Sequence, residues 1–342
     1  MKNGVICLLA CLSLGVVQAQ DNKEERSAFW GNQGAYLQKQ VVQMFDIVDQ
    51  GLNANPPTTE NALARKLALY NFDAIVHDTK YDGCDAMLDF VNKRVAGVVN
   101  DIDNGKVKKV KIYKIYNDGF VAKTKSVVVA FDVVRGASGG KNLISDSQMQ
   151  QLVDRCDILF LTHNHPDHVD PYVVDLFVKA GKPVIATKTI LDNKEGVTHY
   201  RNDNGVIKGE KIALANGKEI IVDIFPGHQD NMLNNIYVVT TPEKVTFGQT
   251  GDQYNKNDME WIANAKDNLT RPMDVFMVIC WTHKMADLIN GFAPKVVVTG
   301  HENEMGHTID HRESFWLTFQ KMQPITTPYV VLGWGEGYSY PK

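Results

Sequence analysis

Two patterns of apolar and polar positions divide the chain. From about residue 27 to residue 104, apolar side chains recur at three- and four-residue spacing, which is typical of amphipathic helices. The segment NPPTTE at 55–60 separates two of these helices, and NDIDNGK at 100–106 ends the block with turn residues. The apolar positions are Val41, Val42, Met44, Phe45 and Val48, then Leu63, Leu67, Leu69 and Phe72, then Met87, Phe90, Val91, Val95, Val98 and Val99.

The pattern changes to strands after Lys106. The segment KVKIYKIYNDGFVAKTKSVVVAFDVV predicts two strands around an Asn-Asp-Gly turn and a third strand that ends near Asp132. Further strands are predicted in DILFLT, KPVIAT, KIALANGKEIIVDIF, NIYVVTTPEKVTFG, DVFMVI and PKVVVTG. Helical stretches interleave with them near 147–155, 171–180, 258–266, 284–291 and 312–322.

Strands in hairpins, mixed with helices that cover their faces, favour two stacked sheets. We predict an α+β fold, a four-layer αββα sandwich over residues 106–342, preceded by a small all-α domain over residues 20–105. The apolar faces of that helical domain could dock on the sandwich, cover its cleft or form a contact between two copies of the chain. A homo-oligomer is compatible with the sequence.

The first nineteen residues have the layout of a secretory signal peptide. One early lysine precedes an uncharged apolar run, Val5 to Val17, and small residues lead up to a cleavage point after Ala19. This run is too short to span a bilayer. A lipid anchor on Cys11 is the second alternative. We therefore expect an exported chain, either periplasmic or extracellular.

The composition limits the classes of partner that we expect for the mature chain. No segment beyond the leader approaches 18 consecutive apolar residues, so we expect no transmembrane span. A net charge of −4, with 22% charged residues evenly mixed, disfavours nucleic acid as a partner. Cys84, Cys156 and Cys280 are odd in number and widely spaced, which does not fit a disulfide framework or a cysteine-type zinc site. The remaining partner class is a small-molecule substrate.

The segment LFLTHNHPDHVDP at 159–171 contains three of the ten histidines. Imidazole nitrogens and carboxylate oxygens are ligands of zinc, iron and manganese. His163 and His165 alternate after a strand, so both can face one point. Asp167 and His168 follow the turn at Pro166 and can face a second point nearby. A solvated polar loop without function is the alternative interpretation.

Other predicted strands also end in residues that bind metals. EIIVDIF is followed by Pro-Gly-His228, KVTFG by Gln-Thr-Gly-Asp252, and PKVVV by Thr-Gly-His301. Loops at one edge of a packed sheet can converge on a single site. Five histidines and two aspartates would suffice for two divalent metal ions. We expect zinc, with manganese or iron as alternatives.

With these residues in place, the chain resembles the metallo-β-lactamase superfamily over about 107–342. The arrangement of hairpin, strand and SVVVAFD before the histidine loop is most similar to the branch of ascorbate-6-phosphate lactonases. The resemblance covers the His-x-His-x-Asp-His loop at 163–168, His228, Asp252, His301 and the strand-end Asp132.

The resemblance implies a ligand for each metal position. His163, His165 and His228 would bind the first metal, Asp167, His168 and His301 would bind the second, and Asp252 would bridge them. Asp132 would hold a ligand by a hydrogen bond without touching a metal, although a plain strand-end aspartate is the alternative. His307 competes with His301 for the last ligand position, because GHENEMGH contains both. His283 and His307 are further candidates for substrate contacts.

The implied activity is hydrolysis of an ester-like bond in a small molecule, such as a lactone, phosphodiester or acyl bond, by a metal-bridging hydroxide. Asp167 or Asp252 would accept or relay the proton. Class B β-lactamases have cysteine at the position of Asp252, which disfavours β-lactam hydrolysis. Diiron redox relatives have glutamate at the position of His165, which disfavours oxygen chemistry. The alternatives are a phosphodiesterase or phospholipase-like enzyme, a redox diiron protein, and a non-catalytic metal-binding interaction protein.

Two further segments leave a choice between function and packing. The glycine-rich RGASGGKN at 135–142 could line the rim of the pocket or serve only as a flexible connection. The ending GWGEGYSY places Trp334, Tyr338 and Tyr340 together, either as an aromatic pocket wall or as packing of a terminal strand.

Overall fold

The computed structural model describes residues 28–104, 110–200 and 205–341. In it the apolar runs of the sequence form helices and strands, and polar turns separate them. The predicted signal peptide with Cys11 lies outside the described residues. The predicted domain boundary at 105/106 falls in the undescribed segment 105–109 and stays a prediction.

The helices of the described ranges are α1 Gln33–Ala54, α2 Leu63–Val76, α3 Asp85–Asn104, α4 Asp146–Arg155, α5 Pro171–Lys179, α6 Met259–Ile262, α7 Met285–Phe292 and α8 Phe315–Met322. The strands are β1 Val110–Tyr116, β2 Gly119–Lys123, β3 Val128–Phe131, β4 Ala137–Ser138, β5 Lys141–Asn142, β6 Ile158–Leu161, β7 Val184–Thr187, β8 Val197–Tyr200, β9 Ile207–Ala213, β10 Glu219–Gln229, β11 Met232–Thr240, β12 Thr246–Gln249, β13 Val275–Ile279, β14 Val296–Gly300, β15 Tyr329–Val331 and β16 Glu336–Tyr340. No helix in the described part of the chain is long and apolar enough to cross a membrane.

The strands form two seven-stranded mixed sheets. The first sheet has the order β16-β1-β2-β3-β6-β7-β8, and the second has the order β15-β14-β13-β12-β11-β10-β9. In the first sheet β3, β6 and β7 run parallel, and in the second β12, β13, β14 and β15 run parallel. The carboxyl ends of neighbouring parallel strands lie at one edge of each sheet, which is where loops can carry a shared site.

Alternation of side chains along the strands builds the layers. On β6, Ile158 and Phe160 pack between the two sheets, whereas Leu159 and Leu161 pack outward against helices. The outward face of the first sheet shares a core with residues of α1 to α5, and the second sheet shares one with α6 and α7. The result is helix, sheet, sheet, helix, and the predicted αββα sandwich is confirmed.

The helical segment from residue 41 docks on the sandwich, which was one of the three placements left open. Phe72 of α2 lies edge-on to Trp334 with ring centroids 4.8 Å apart. The buried Arg65 guanidinium donates to both carboxylate oxygens of Glu336, at 3.0 and 2.5 Å. Trp334 is completely buried, so packing accounts for its position.

By its internal contacts the chain divides into residues 1–40 and residues 41–342. In the described part of the first unit, the Phe29 and Tyr36 rings lie edge to face at 6.0 Å. All candidate site residues belong to the second unit. Strands β8 and β15 and the small β4-β5 hairpin were not predicted from the sequence, and β16 is the terminal strand that the ending GWGEGYSY left as one alternative.

Candidate metal centre

Strand ends supply most of the candidate ligands. Asp132 directly follows β3, and His163 comes two residues after β6 ends. In the second sheet His228 lies near the end of β10, and His301 directly follows β14. Asp252 comes three residues after β12 ends. Strands of both sheets therefore contribute candidate ligands at their ends.

Close packing explains the glycines that precede two of these ligands. A Cβ on Gly251 would lie 2.4 Å from an oxygen of Thr162, and the glycine has a φ of +50°. A Cβ on Gly300 would lie 1.9 Å from Asp118 Oδ1. Only glycine lets the backbone approach so closely before Asp252 and His301.

Two groups of side chains converge and share His168. The ligand atoms of His163, His168 and Asp252 lie within 4.8 Å of one another, as do those of Asp167, His168 and His301. Asp252 extends across both groups, because its carboxylate lies 3.5 Å from His163 Nε2 and 3.6 Å from His301 Nε2. This is the arrangement that a bridging carboxylate requires.

The two remaining predicted ligands lie at the margin of these groups. His165 Nδ1 is 3.2 Å from His163 Nε2, so the two imidazoles face each other as the alternating spacing predicted. His228 is outside both groups, but its backbone N–H donates to Gln253, the residue after Asp252. The next side chain, Gln229, donates to Asp252 Oδ2 at 3.1 Å.

A buried carboxylate fixes the orientation of His168. Asp132 Oδ2 lies 2.9 Å from His168 Nδ1, and both side chains are fully buried. The Thr162 N–H and hydroxyl also donate to Asp132, at 2.8 and 2.5 Å. Because Nδ1 is engaged, Nε2 is the nitrogen that faces Asp167 and Asp252. Asp132 thus makes a hydrogen bond to a candidate ligand, and its role at a metal site stays a prediction.

Sequence reasoning missed an equivalent carboxylate beside His228. Both oxygens of Asp258 lie 3.2 Å from His228 Nδ1, so Nε2 is the ring nitrogen left to bind a metal. Gln253 Nε2 and Trp261 Nε1 donate to the same carboxylate at 2.8 and 3.1 Å. Asp258 stands in an ordinary helix-start sequence, NKNDMEW, so no residue pattern could have identified it.

Asp118, in the turn between β1 and β2, was also missed as part of this site. It is fully buried, and its ligand atom lies within 4.8 Å of those of Asp132 and His168. Gln249 Nε2 donates to Asp118 at 3.0 Å. The sequence presented it only as one residue of an Asn-Asp-Gly turn.

The electrostatics of the site favour bound positive charge. Burial opposes the charged form of His301, yet the carboxylates of Asp252 and Asp167 raise its pKa to about 9. The same two carboxylates, against burial, hold the pKa of His168 well above its usual range. Burial alone would raise the pKa of Asp252, but the imidazoles of His301, His168 and His163 hold it below its usual range. Carboxylates and imidazoles thus stabilise each other's charged forms.

The donor atoms fit a metal. His168 Nε2 and Asp252 Oδ1 are buried and 3.2 Å apart, and neither has a hydrogen-bond partner among the described residues. Buried polar atoms are nearly always satisfied, so such a pair calls for a shared cation. Nitrogen and oxygen donors of this kind suit zinc, manganese or iron.

The two candidate substrate contacts lie in different places. His307 lines a cavity of about 400 Å³ together with Asp167, and its ring lies 5.8 Å from that of His301. His283 lines a second cavity, of about 480 Å³, beside Tyr254. His301, and not His307, lies in the group with Asp167 and His168. Part of the glycine-rich segment 135–142 lines the first cavity.

No family model matches the sequence, and no curated protein matches it. The chain is similar in structure to Igni18, a novel metallo hydrolase from the hyperthermophilic archaeon Ignicoccus hospitalis KIN4/I, with a TM-score of 0.50 and 16% identity over 69% of this chain and 100% of that chain. A possible metal-dependent hydrolase from Veillonella parvula DSM 2008 has a TM-score of 0.49 and 14% identity, over 68% of this chain and 100% of that one. Isothiocyanate hydrolase from Delia radicum gut bacteria has a TM-score of 0.46 and 12% identity, over 68% and 100%. The similarity to Igni18 shows a shared fold.

Proposed function

We propose that this protein is a metal-dependent hydrolase of the metallo-β-lactamase superfamily that acts on an ester-like bond of a small molecule. Its fold is the αββα sandwich of that superfamily. The single observation that supports the proposal best is the pair of ligand groups that share His168 and are spanned by Asp252. The leader sequence supports export as the proposed location.

Each proposed metal position has its own ligands. His163, His165 and His228 are assigned to the first metal, Asp167, His168 and His301 to the second, and Asp252 to both. When bound, two such ions supply an activated water and polarise the oxygen of the bond to be cleaved.

The protein's own residues supply orientation and proton transfer. Asp132 and Asp258 hold the Nδ1 atoms of His168 and His228, which leaves each Nε2 available to bind a metal. Asp167 and Asp252 are the carboxylates at the centre, and we assign proton acceptance to them. Both are largely shielded from water, which strengthens their interactions with bound charge.

The deciding experiment measures metal content and turnover in the same preparations. Protein purified without chelator is compared with His163→Ala, Asp252→Ala and the matched control His311→Ala, whose side chain is 74% exposed. We expect about two metal ions per chain in the wild type and the control. Both site variants should bind less metal, and hydrolysis of a lactone, carboxylester or phosphodiester panel should fall to background.

Three results would contradict the proposal. A folded wild-type protein without metal would reject the assigned site. Bound metal without turnover of any panel member would favour a non-catalytic metal protein. An iron chromophore together with electron transfer, in the absence of hydrolysis, would favour the redox alternative.

A further inference from the structure

The cavity of about 400 Å³ borders the proposed second metal position. One of its walls is the side chain of Asp167, which we assign as a ligand of that metal. Its other walls come from residues 134–137 with Asn142, from Pro166 and residues 169–171, and from Glu304, Gly306 and His307. A molecule bound in this cavity would therefore lie directly beside the reacting centre, which makes its lining a determinant of substrate choice.

The cavity offers no free guanidinium or ammonium group. Arg135 is the one arginine or lysine among its lining residues, all of which are described. Its Nε and Nη2 donate to Asp170 at 2.8 and 3.1 Å, and its Nη1 donates to Asp146 at 2.8 Å. The guanidinium also stacks 4.2 Å from the centroid of Tyr172. Because every nitrogen of Arg135 already donates to a carboxylate, the positive charge of this guanidinium is paired within the protein.

Glu304 adds an acidic group with an unused acceptor. The residue is 3% exposed, and its Oε1 accepts the Gly306 N–H at 2.8 Å. Its Oε2 is buried and makes no hydrogen bond to a described residue, although the Tyr116 hydroxyl lies beside the carboxylate. A carboxylate has about four acceptor sites, and this one receives the Gly306 N–H and lies beside the Tyr116 hydroxyl, so Glu304 can accept a further donor.

His307 supports the same interpretation. It lines the cavity beside Glu304, and its Nδ1 is buried without a hydrogen-bond partner among the described residues. Apolar contacts come from Val134, Pro166 and Val169. A cavity with apolar walls and a few convergent polar atoms is typical of sites for small molecules.

We infer that this cavity binds the part of the substrate that extends away from the scissile bond and selects an uncharged or cationic group whose O–H or N–H donates to Glu304. The inference rests on the proposed hydrolase function. A phosphate or carboxylate placed there would face the Glu304 carboxylate, and the lining offers no unpaired arginine or lysine to offset that like-charge contact.

The kinetic test uses four p-nitrophenyl esters that differ only at the far end of a six-carbon acyl chain. That end is a methyl, hydroxyl, ammonium or carboxylate group. With the metal-loaded enzyme we expect kcat/KM for the hydroxyl and ammonium esters to exceed that of the carboxylate ester by about tenfold or more. In Glu304→Gln the ratio of ammonium to carboxylate ester should fall by about tenfold, because glutamine keeps the hydrogen-bonding shape and loses the charge.

The matched control is Glu195→Gln, an exposed residue outside the cavity that should leave the ratio as in the wild type. Metal content and thermal melting of each variant are measured in parallel, so that loss of the fold is recognised. Equal rates for the carboxylate and ammonium esters would overturn the inference. A ratio that Glu304→Gln does not change would overturn it as well.

A binding measurement distinguishes failure of this inference from failure of the proposed hydrolase function. If the metal-loaded wild type cleaves none of the esters, ester hydrolysis fails, and calorimetric titration with 6-aminohexan-1-ol and with adipate decides the inference. We expect the amino alcohol to bind more tightly than adipate to the wild type, and about tenfold more weakly to Glu304→Gln. Tighter binding of adipate, equal binding in both proteins, or no binding of the amino alcohol would overturn the inference.

Discussion

At the scale of single residues, two aspartates that touch no proposed metal set the direction of two ligands. Asp132 lies 2.9 Å from Nδ1 of His168, and Asp258 lies 3.2 Å from Nδ1 of His228. A carboxylate at this position fixes the imidazole tautomer and raises the basicity of the opposite nitrogen. Asp132 serves His168 of the second proposed metal position, whereas Asp258 serves His228 of the first.

The substitution Asp258→Asn should therefore weaken the first metal position. The asparagine amide keeps the size of the side chain but has no negative charge. It is therefore a weaker hydrogen-bond acceptor for His228, Gln253 and Trp261. We expect metal affinity to fall by about 10- to 100-fold, as for other residues that orient a ligand. Competition titration with a chromophoric chelator measures it.

The control for this substitution is Asp267→Asn, an exposed aspartate in the short helix Ala265–Asn268. Thermal melting of both metal-free proteins shows whether the fold is intact. An affinity of Asp258→Asn equal to that of the control would reject the assignment of Asp258 as the residue that positions His228.

The sequence singled out the candidate ligands more readily than the residues that support them. His163, His165, His168 and His301 stand out because histidine is rare in the chain and each follows an apolar strand. Asp258 and Glu304 are common residue types in unremarkable surroundings, and their neighbours in space are distant in sequence. Their roles depend on which loops meet at the sheet edge, and a strand pattern does not contain that information.

At the scale of elements, the loop after β14 is held in place by the helical segment. His301 and Asn303 both have positive φ, +70° and +60°, which is strained for residues other than glycine. Asn303 Nδ2 donates to Asp73 of α2 at 2.9 Å. Arg312 donates to the carbonyl oxygens of Met305 and His307 and forms a two-point ion pair with Asp82. The helices thus support the loop that contributes the last ligand.

Asp73 gives this support a pH dependence. Its carboxylate accepts from Asn303 Nδ2 and from the N–H groups of Phe315 and Trp316. Burial nevertheless raises the pKa of Asp73 from 3.8 to about 6 in the folded protein. The folded state therefore holds this proton more tightly than the unfolded chain, so the stabilisation is complete below pH 3.8 and is lost as the pH rises through 6.

Comparison with Asp73→Asn, which cannot titrate at this position, isolates that effect. We expect the free energy of unfolding of the wild type, relative to the variant, to fall by about 2–3 kcal/mol between pH 4 and pH 7. Urea titrations of the metal-free proteins measure it across this range. A difference that stays constant, or that grows with pH, would show that the three donors keep Asp73 ionised.

At the scale of the whole molecule, the helices and the sandwich share one core. The core that covers the outer face of the first sheet includes Phe45, Phe72 and Phe90 from the helices and Trp334 from the end of the chain. The sequence predicted the helices from their apolar spacing. It could not predict this docking, because an amphipathic face does not specify its partner and Arg65 meets Glu336 across 271 positions.

Because the helices and the sandwich share that core, a chain that begins at residue 110 should not form a stable fold. Removal of the helices would expose the fully buried Trp334 and leave the Glu336 carboxylate without Arg65 and Arg94. Apolar burial of this extent and a broken buried ion pair each cost several kcal/mol, and a domain is stable by only about 5–15 kcal/mol. We expect the truncated protein to aggregate or to melt without cooperativity, and to bind little metal.

A chain that begins at residue 28 is the control and should remain folded with its metal. If the truncated chain instead is monomeric, melts cooperatively and keeps its metal, then the predicted boundary at 105/106 separates two independent domains.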